Sequence, residues 1–266
     1  MSRNLKNIAR LISSVNEELP IEKQFLNDLE RSIELNDKNN ARVPSASYKP
    51  SSMNCIRQMW YMRKGVQPEV SQASYALVGI CNSGTDIHQR IQQAVLDMKK
   101  VGIECEYMNV ADFVKSRNLD YLEIVKEPDF EACDYETKLY HKTLYMSFLC
   151  DGIIKYKNQY YILELKTENS NKFWSRNDVD PKHYNQATAY SIAFGINDVL
   201  FVYISRDTLD MKAFMYKVSE HQKNELSALL VTCEDYVIKN ELPEKPESTT
   251  ACRYCNYKNL CSKNIF

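Results

Sequence analysis

From Lys138 to Lys166, polar and apolar residues alternate with the two-residue period of strands. Within that stretch Ile162, Glu164 and Lys166 share one face, and Tyr161, Leu163 and Leu165 share the other. The segment Lys157-Asn158-Gln159 predicts a turn that folds this strand back on one carrying Asp151. Loop length then decides the chemistry. A two-residue loop at 157–158 or 158–159 sets Asp151 opposite Glu164 or Lys166, whereas a three-residue loop sets it opposite Leu165, on the wrong face.

Helical spacing governs the flanks. Ile87, Ile91, Val95 and Met98 recur at a period of 3.6, so a helix is predicted from Ser83-Gly84-Thr85 to about Lys100, with His88 beside its apolar stripe. Residues 53–64 predict a short helix holding Cys55, Trp60 and Tyr61. Asp180-Pro181 predicts a helix start, and Gly195 its end. Strands follow at about 198–205 and 211–218. Ser219-x-x-Gln222 then reads as a capping box for a helix carrying Leu226, Leu229, Leu230, Cys233, Tyr236 and Val237. Residues 44–52 read as a linker, 167–180 as a polar, flexible stretch containing Phe173-Trp174, and 101–135 follow no recognisable period. At the start, Leu5, Ile8, Leu11 and Ile12 have helical spacing, and Pro20 opens a second helix carrying Phe25, Leu26 and Leu29. Three parts are expected: a helical extension over 1–45, a mixed α/β core with a central sheet over 46–247, and a cysteine-rich segment over 248–266. The extension either packs on the core or docks a protein partner.

Composition narrows the class. The chain has 266 residues, 44% hydrophobic and 26% charged, with a net charge of −1, so any nucleic-acid groove must be local. The N-terminus lacks the apolar core of a signal peptide, and the longest apolar run, Val199 to Ile204, is too short to span a membrane, so a cytoplasmic protein is expected. Nine cysteines in such a compartment argue against a disulfide framework. Cys252-x2-Cys255-x5-Cys261 near the C-terminus instead predicts a metal site, with zinc or an iron–sulfur cluster as the candidates. Cys55 or a histidine could complete a zinc tetrahedron. Cys81, Cys105, Cys133, Cys150 and Cys233 are scattered and read as core or surface thiols.

Asp151 and Glu164 on adjacent strands can hold a hard cation through oxygen, with the Leu165 carbonyl as a further ligand. Lys166 projects to the same face, where it could orient or deprotonate a water; a nearby cation biases it towards its neutral form. Glu-x-Lys by itself is also the ordinary pattern of a solvated strand.

Three further stretches change that picture. Cys150-Asp151-Gly152 followed by Glu164-Leu165-Lys166 resembles the signature of the PD-(D/E)XK nuclease superfamily, with cysteine where the motif's name has proline. Gly84-Thr85-Asp86-Ile87-His88 resembles the G-x-x-x-H helix of its RecB-like branch, and Gln186-Ala187-Thr188-Ala189-Tyr190 resembles the Q-x-x-x-Y motif of that branch. Cys55 with Cys252, Cys255 and Cys261 resembles the four-cysteine pattern of its iron–sulfur members, such as AddB nuclease domains and CRISPR-associated RecB-like exonucleases. The resemblance covers about residues 45–263. It implies a restriction-endonuclease-like core, with a central mixed sheet flanked by helices and a cysteine clasp joining its two ends. It also implies a DNA exonuclease acting on ends or single strands with Mg2+ or Mn2+. His88, Asp151, Glu164 and Leu165 would hold the cation, Lys166 would serve the water, and Gln186 and Tyr190 would support the site and contact DNA. The four cysteines would ligate a [4Fe–4S] cluster, zinc being the alternative. Phe173 and Trp174 could stack on bases or anchor their loop. A structure-specific endonuclease and a non-catalytic DNA-binding or assembly module are the competing functions.

Overall fold

The computed structural model describes residues 20–37, 44–68, 74–247, 252 and 255–263. The chain divides into two compact units, Met1–Arg42 with Ser71–Ile80, and Val43–Val70 with Cys81–Phe266. In the smaller unit, helix α1 (Ile21–Asn36) starts after Pro20, as the sequence predicts. It leaves Phe25, Leu26 and Leu29 exposed. The predicted helical positions Leu5, Ile8, Leu11 and Ile12 lie outside the described residues.

Next along the chain come α2 (Ile56–Arg63), α3 (Tyr75–Asp97), β1 (Cys105–Met108), α4 (Val110–Ser116), β2 (Leu122–Lys126), β3 (Thr137–His141), β4 (Met146–Cys150), β5 (Gly152–Tyr156) and β6 (Gln159–Glu168). Then follow α5 (Ser170–Ser175), α6 (Tyr184–Phe194), β7 (Asp198–Ser205), β8 (Met211–Lys217), α7 (Glu220–Lys239) and α8 (Lys258–Lys263). A five-stranded sheet has the order β1-β5-β6-β7-β8, and β2-β3-β4 form a second, three-stranded sheet. The five-stranded sheet is mixed, because β6 and β7 pair in parallel while its other pairs are antiparallel.

Alternation along the central strands sorts side chains into two apolar layers. Ile162, Val199, Phe201 and Tyr203 face a cluster completed by Ala187, Ala193 and Phe194 of α6 and by Leu226 and Leu230 of α7. Leu163, Leu165, Leu200 and Val202 face the opposite cluster, closed by Ile87, Ile91 and Val95 of α3. The result is a central mixed sheet between helical layers, as the period-2 and period-3.6 patterns require when each must bury its apolar face.

The β5–β6 hairpin turns on Lys157 and Asn158, both with positive φ (47° and 66°), which suits a two-residue hairpin loop. Gly152 pairs with Leu163, and the same register carried one residue further sets Asp151 opposite Glu164. At Gly152 a side chain would force Tyr107 to shift, because an added Cβ would lie 2.7 Å from its Cε2. Gly195 caps α6 at φ 69°, and the Ser219–Gln222 capping box starts α7.

Four expectations need correction. First, the helix carrying His88 begins at Tyr75 rather than near Ser83. Ser74 Oγ accepts from the Leu77 amide at 3.3 Å, and Thr85 bonds back to the Cys81 carbonyl, so polar residues that look like a start sit inside the helix. Gly84 lets that helix approach β6; a Cβ there would lie 3.3 Å from Thr167 Oγ1. Second, residues 44–52 are no free linker. Tyr48 is fully buried, bridges to Met146 in parallel, and donates its hydroxyl to Glu234 Oε1 at 2.6 Å. Third, residues 167–180 are tied down. Arg176 grips Glu168 with bonds of 2.7 and 2.5 Å, Asn169 caps α5, and Lys212 Nζ donates to the carbonyls of Phe173, Trp174 and Arg176. Fourth, residues 101–135 hold β1, α4 and β2, elements of four to seven residues and so too short to display a period.

Candidate active site

Asp151 is the single residue between β4 and β5, and both its backbone and its side chain are held. Its carbonyl accepts from Gln92 Nε2 at 2.7 Å and from the Tyr107 hydroxyl at 2.5 Å. Carboxylate Oδ2 accepts from the Leu165 amide at 2.7 Å. Because N–H and C=O of one strand residue point to the same neighbour, the Leu165 carbonyl is turned to the Asp151 side as well. Helix α3 presents His88 and Gln92, four residues apart on one face, and His88 Nδ1 lies 3.3 Å from Asp151 Oδ1.

Glu164 stands beside Asp151 in a second network. Lys166 Nζ donates to Glu164 Oε1 at 2.5 Å and to Gln186 Oε1 at 3.0 Å. The Gln186 amide nitrogen donates to Glu164 Oε1 at 2.6 Å and to the Tyr190 hydroxyl at 3.1 Å, and that hydroxyl donates to the Leu149 carbonyl at 2.9 Å. Gln186 and Tyr190 are both buried, on α6. Glu164 Oε2 is buried with no partner, and an orphaned buried carboxylate oxygen is costly unless something of positive charge meets it.

A third carboxylate, absent from the sequence reading, joins the site. Glu136 precedes β3, and its carboxylate comes within 4.8 Å of the ligating atoms of both His88 and Asp151. Burial first, then the neighbouring Asp151 charge, pushes Glu136 up to about 7. Burial also pushes Glu164 up to about 7, Lys166 opposing and Asp151 adding to it. Burial works against the charged forms of Asp151 and His88 too, but their mutual contact prevails: Asp151 is held low and His88 high. Three crowded carboxylates, an imidazole and a backbone carbonyl are hard to intermediate donors, a set that suits a divalent metal ion. His88, Asp151, Glu164, Lys166, Gln186 and Tyr190 are thus brought to one place. Glu136, Gln92 and Tyr107 were missed. Only Gln92 carried a signal, its four-residue spacing from His88.

The four cysteines converge elsewhere. Cys55, at the N-cap of α2, lines a cavity of about 160 Å³ with Cys252, Cys255 and Cys261. Tyr61 and Tyr257 stack beside it, ring centroids 5.2 Å apart. Burial first, with the other three thiols adding to it, pushes the Cys255 thiol up. Among the described residues no three of these sulfurs lie within 4.8 Å of one another. Cys105, Cys150 and Cys233 are buried and Cys81 and Cys133 exposed.

No protein-family model and no curated protein matches the chain. Among solved structures, SSO0001 is 15% identical with a TM-score of 0.43, over 93% of this chain and 100% of that one. LHK-Exo in complex with dAMP is 10% identical with a TM-score of 0.45, over 73% of this chain and 89% of that one. A second structure of LHK-Exo, an alkaline exonuclease from Laribacter hongkongensis, is 12% identical with a TM-score of 0.36, over 74% and 92%. Likenesses this distant assign no activity to this chain.

Proposed function

We propose that this protein is a divalent-cation-dependent DNA nuclease of PD-(D/E)XK type and RecB-like branch, working as an exonuclease on DNA ends or single strands. The observation that carries the reading is the register of β5 and β6. It sets Asp151 opposite Glu164, with Lys166 two residues on along the same face and His88 meeting Asp151 from α3. A solvated Glu-x-Lys strand would not bury Glu164 to 3% exposure.

His88, Asp151, Glu164 and the Leu165 carbonyl would hold Mg2+ or Mn2+, which when bound neutralises phosphoryl charge and lowers the pKa of water. Lys166, fixed between Glu164 and Gln186, orients the attacking water and holds or takes its proton. Water adds to phosphorus as the bond to the departing sugar oxygen breaks. Gln186 and Tyr190 act through others: they keep Lys166 and Glu164 in place by the chain of bonds that ends on the Leu149 carbonyl. Trp174, 58% exposed, is available to stack on a base, whereas Phe173 at 1% serves to anchor the segment.

At the cysteine cavity the proposed occupant is a [4Fe–4S] cluster, which Cys55, Cys252, Cys255 and Cys261 would hold, as the resemblance to the iron–sulfur members of the branch implies. Such a cluster would tie α2 to the C-terminal segment and stabilise the fold that binds it. The exposed apolar side chains of α1 support a role in docking a protein partner. No helix among the described residues is long and apolar enough to cross a membrane, and the protein is proposed to act in the cytoplasm.

The test is hydrolysis of end-labelled DNA with Mg2+ or Mn2+, comparing the wild type with Lys166→Ala. The variant is expected to lose activity by about a hundred-fold or more; full activity in it would sink the assignment. Circular single-stranded DNA should survive, and its cleavage would show an endonuclease.

A further inference from the structure

Along the parallel β6–β7 ladder Phe201 pairs with Glu164 and Tyr203 with Lys166, so these four side chains share one face of the sheet. His183, the N-cap of α6, lies over that face: its ring stacks on Phe201 and on Tyr203, with centroids 6.0 Å away in each case. Gln186, one turn further along α6, is the residue that bonds to both Glu164 and Lys166. His183 therefore stands one strand beyond the Glu164–Lys166 pair.

Hydrogen bonding fixes what its ring can offer. The Tyr203 hydroxyl accepts from the Asp180 amide at 3.1 Å and lies 2.9 Å from His183 Nδ1. Among the described residues Nδ1 is the acceptor left for the hydroxyl's own proton, which puts the ring proton on Nε2. Tyr203 is fully buried and packed beneath the Arg176 guanidinium, 4.1 Å from its ring, so the partner that orients His183 is itself held. Burial first, then the charges of Lys166 and Lys182, push the ring down to about 3, so it stays a neutral donor. His183 is 9% exposed, and Nε2 makes no hydrogen bond to the described residues yet is not sealed from solvent. A nine-tenths-buried ring thus keeps one N–H for a partner from outside the chain.

We propose that His183 Nε2–H binds a backbone phosphate oxygen of the DNA strand, at the phosphodiester next to the one attacked, an inference that rests on the nuclease reading above. Two strand spacings, about 10 Å, separate β5 and its Asp151 end from β7, so a group over β7 meets the next phosphate along the strand rather than the one at the cation. The ammonium groups of Lys166 and Lys182 bear on the ring and favour an anion there. A neutral donor between them adds direction without adding charge.

The test is binding of an end-labelled single-stranded oligodeoxynucleotide, read by fluorescence anisotropy with Ca2+ in place of Mg2+ or Mn2+, alongside cleavage with Mn2+. His183→Asn keeps an acceptor for Tyr203 and loses the outer N–H, whereas His183→Gln carries an amide N–H to the place of Nε2. His183→Asn should bind about ten-fold more weakly or worse, the usual loss for a hydrogen bond to a charged group, and His183→Gln should regain most of that. Because the lost donor is neutral, the slope of log K against log salt should stay at the wild-type value in His183→Asn, whereas losing a lysine contact changes it by about 1. A ring that only shapes the start of α6 predicts the reverse order, with Asn tolerated and Gln not. Should His183→Asn fail to fold by circular dichroism, His183→Met, which fills the space of the ring without a donor, takes its place. Wild-type binding in either folded variant, or His183→Gln no better than they are, overturns the proposal, as does a wild type that binds no single strand. A wild type that binds without cutting, with His183→Asn weaker, would remove the nuclease and leave the contact; cleavage with binding indifferent to His183 would do the reverse.

Discussion

Gly152→Ala offers a sharp probe of how the fold holds its site. The added Cβ would lie 2.7 Å from Cε2 of Tyr107 and 3.0 Å from both Cζ and Oη. Tyr107 cannot swing aside freely, because Phe130 and Tyr135 pack edge-on against it, each with its ring centroid 6.4 Å away. Its hydroxyl also holds the Asp151 carbonyl at 2.5 Å. Overpacking a filled site costs about 1–3 kcal/mol, and breaking a buried hydrogen bond adds about 1 kcal/mol. A loss of about 3 kcal/mol is expected, which for a chain of this size lowers the melting temperature by about 6–12 °C. Activity should fall with it, since Asp151 loses one of the bonds that aim it. Tyr107→Ala removes the colliding ring, so adding Gly152→Ala to it should cost less than about 0.5 kcal/mol further. Thermal melting of the wild type, both single variants and the double variant closes the cycle. A Gly152→Ala protein that melts with the wild type, or costs that simply add in the double variant, would refute the reasoning.

The remaining expectations concern the segment after β6, its exposed tryptophan and the cysteine cavity. Arg176→Ala leaves Glu168, 5% exposed, with Lys172 as its remaining cationic partner, and should destabilise by about 3 kcal/mol, while Glu168→Gln with Arg176→Met together should cost less. Burial opposes ionisation of Glu168, but Arg176 and Lys172 prevail and hold its carboxyl below the usual range. Its contribution is therefore full above about pH 4.3, the unfolded value, and is lost as pH falls through the folded value. The gap between wild type and Arg176→Ala in urea denaturation should be constant near neutrality and shrink in acid; a gap that grows in acid would contradict this. Trp174→Ala should weaken single-stranded DNA binding by about 5- to 150-fold without moving the melting temperature. The chain's other tryptophan, Trp60, is fully buried, so quenching of the wild-type fluorescence by DNA should vanish in the variant. Anaerobically purified wild type should be brown and Cys255→Ser colourless and less stable; a colourless wild type with stoichiometric zinc would reject the cluster.

What could be read along the chain was local. The two-residue period of 160–166 set which side chains share the Glu164 face, and an even turn at Lys157-Asn158 was enough to bring Asp151 to it. Gly195, the Ser219–Gln222 box and the apolar stripe of α3 were legible for the same reason: each depends on neighbours within about a turn. Other features depend on contacts that no period encodes. Tyr48 hides a docked edge inside a turn-like composition, and Arg176 ties down a stretch whose polarity reads as loose. Glu136 joins the site only because β4 and β5 are separated by one residue, which lets two sheets meet at Asp151. Spacing grouped Cys252, Cys255 and Cys261, but folding had to bring Cys55 to the same cavity. Periodicity carries the identity of a face because side-chain direction is a local property of the backbone. It does not carry which faces meet, because that is settled by burying the sheet between its helices.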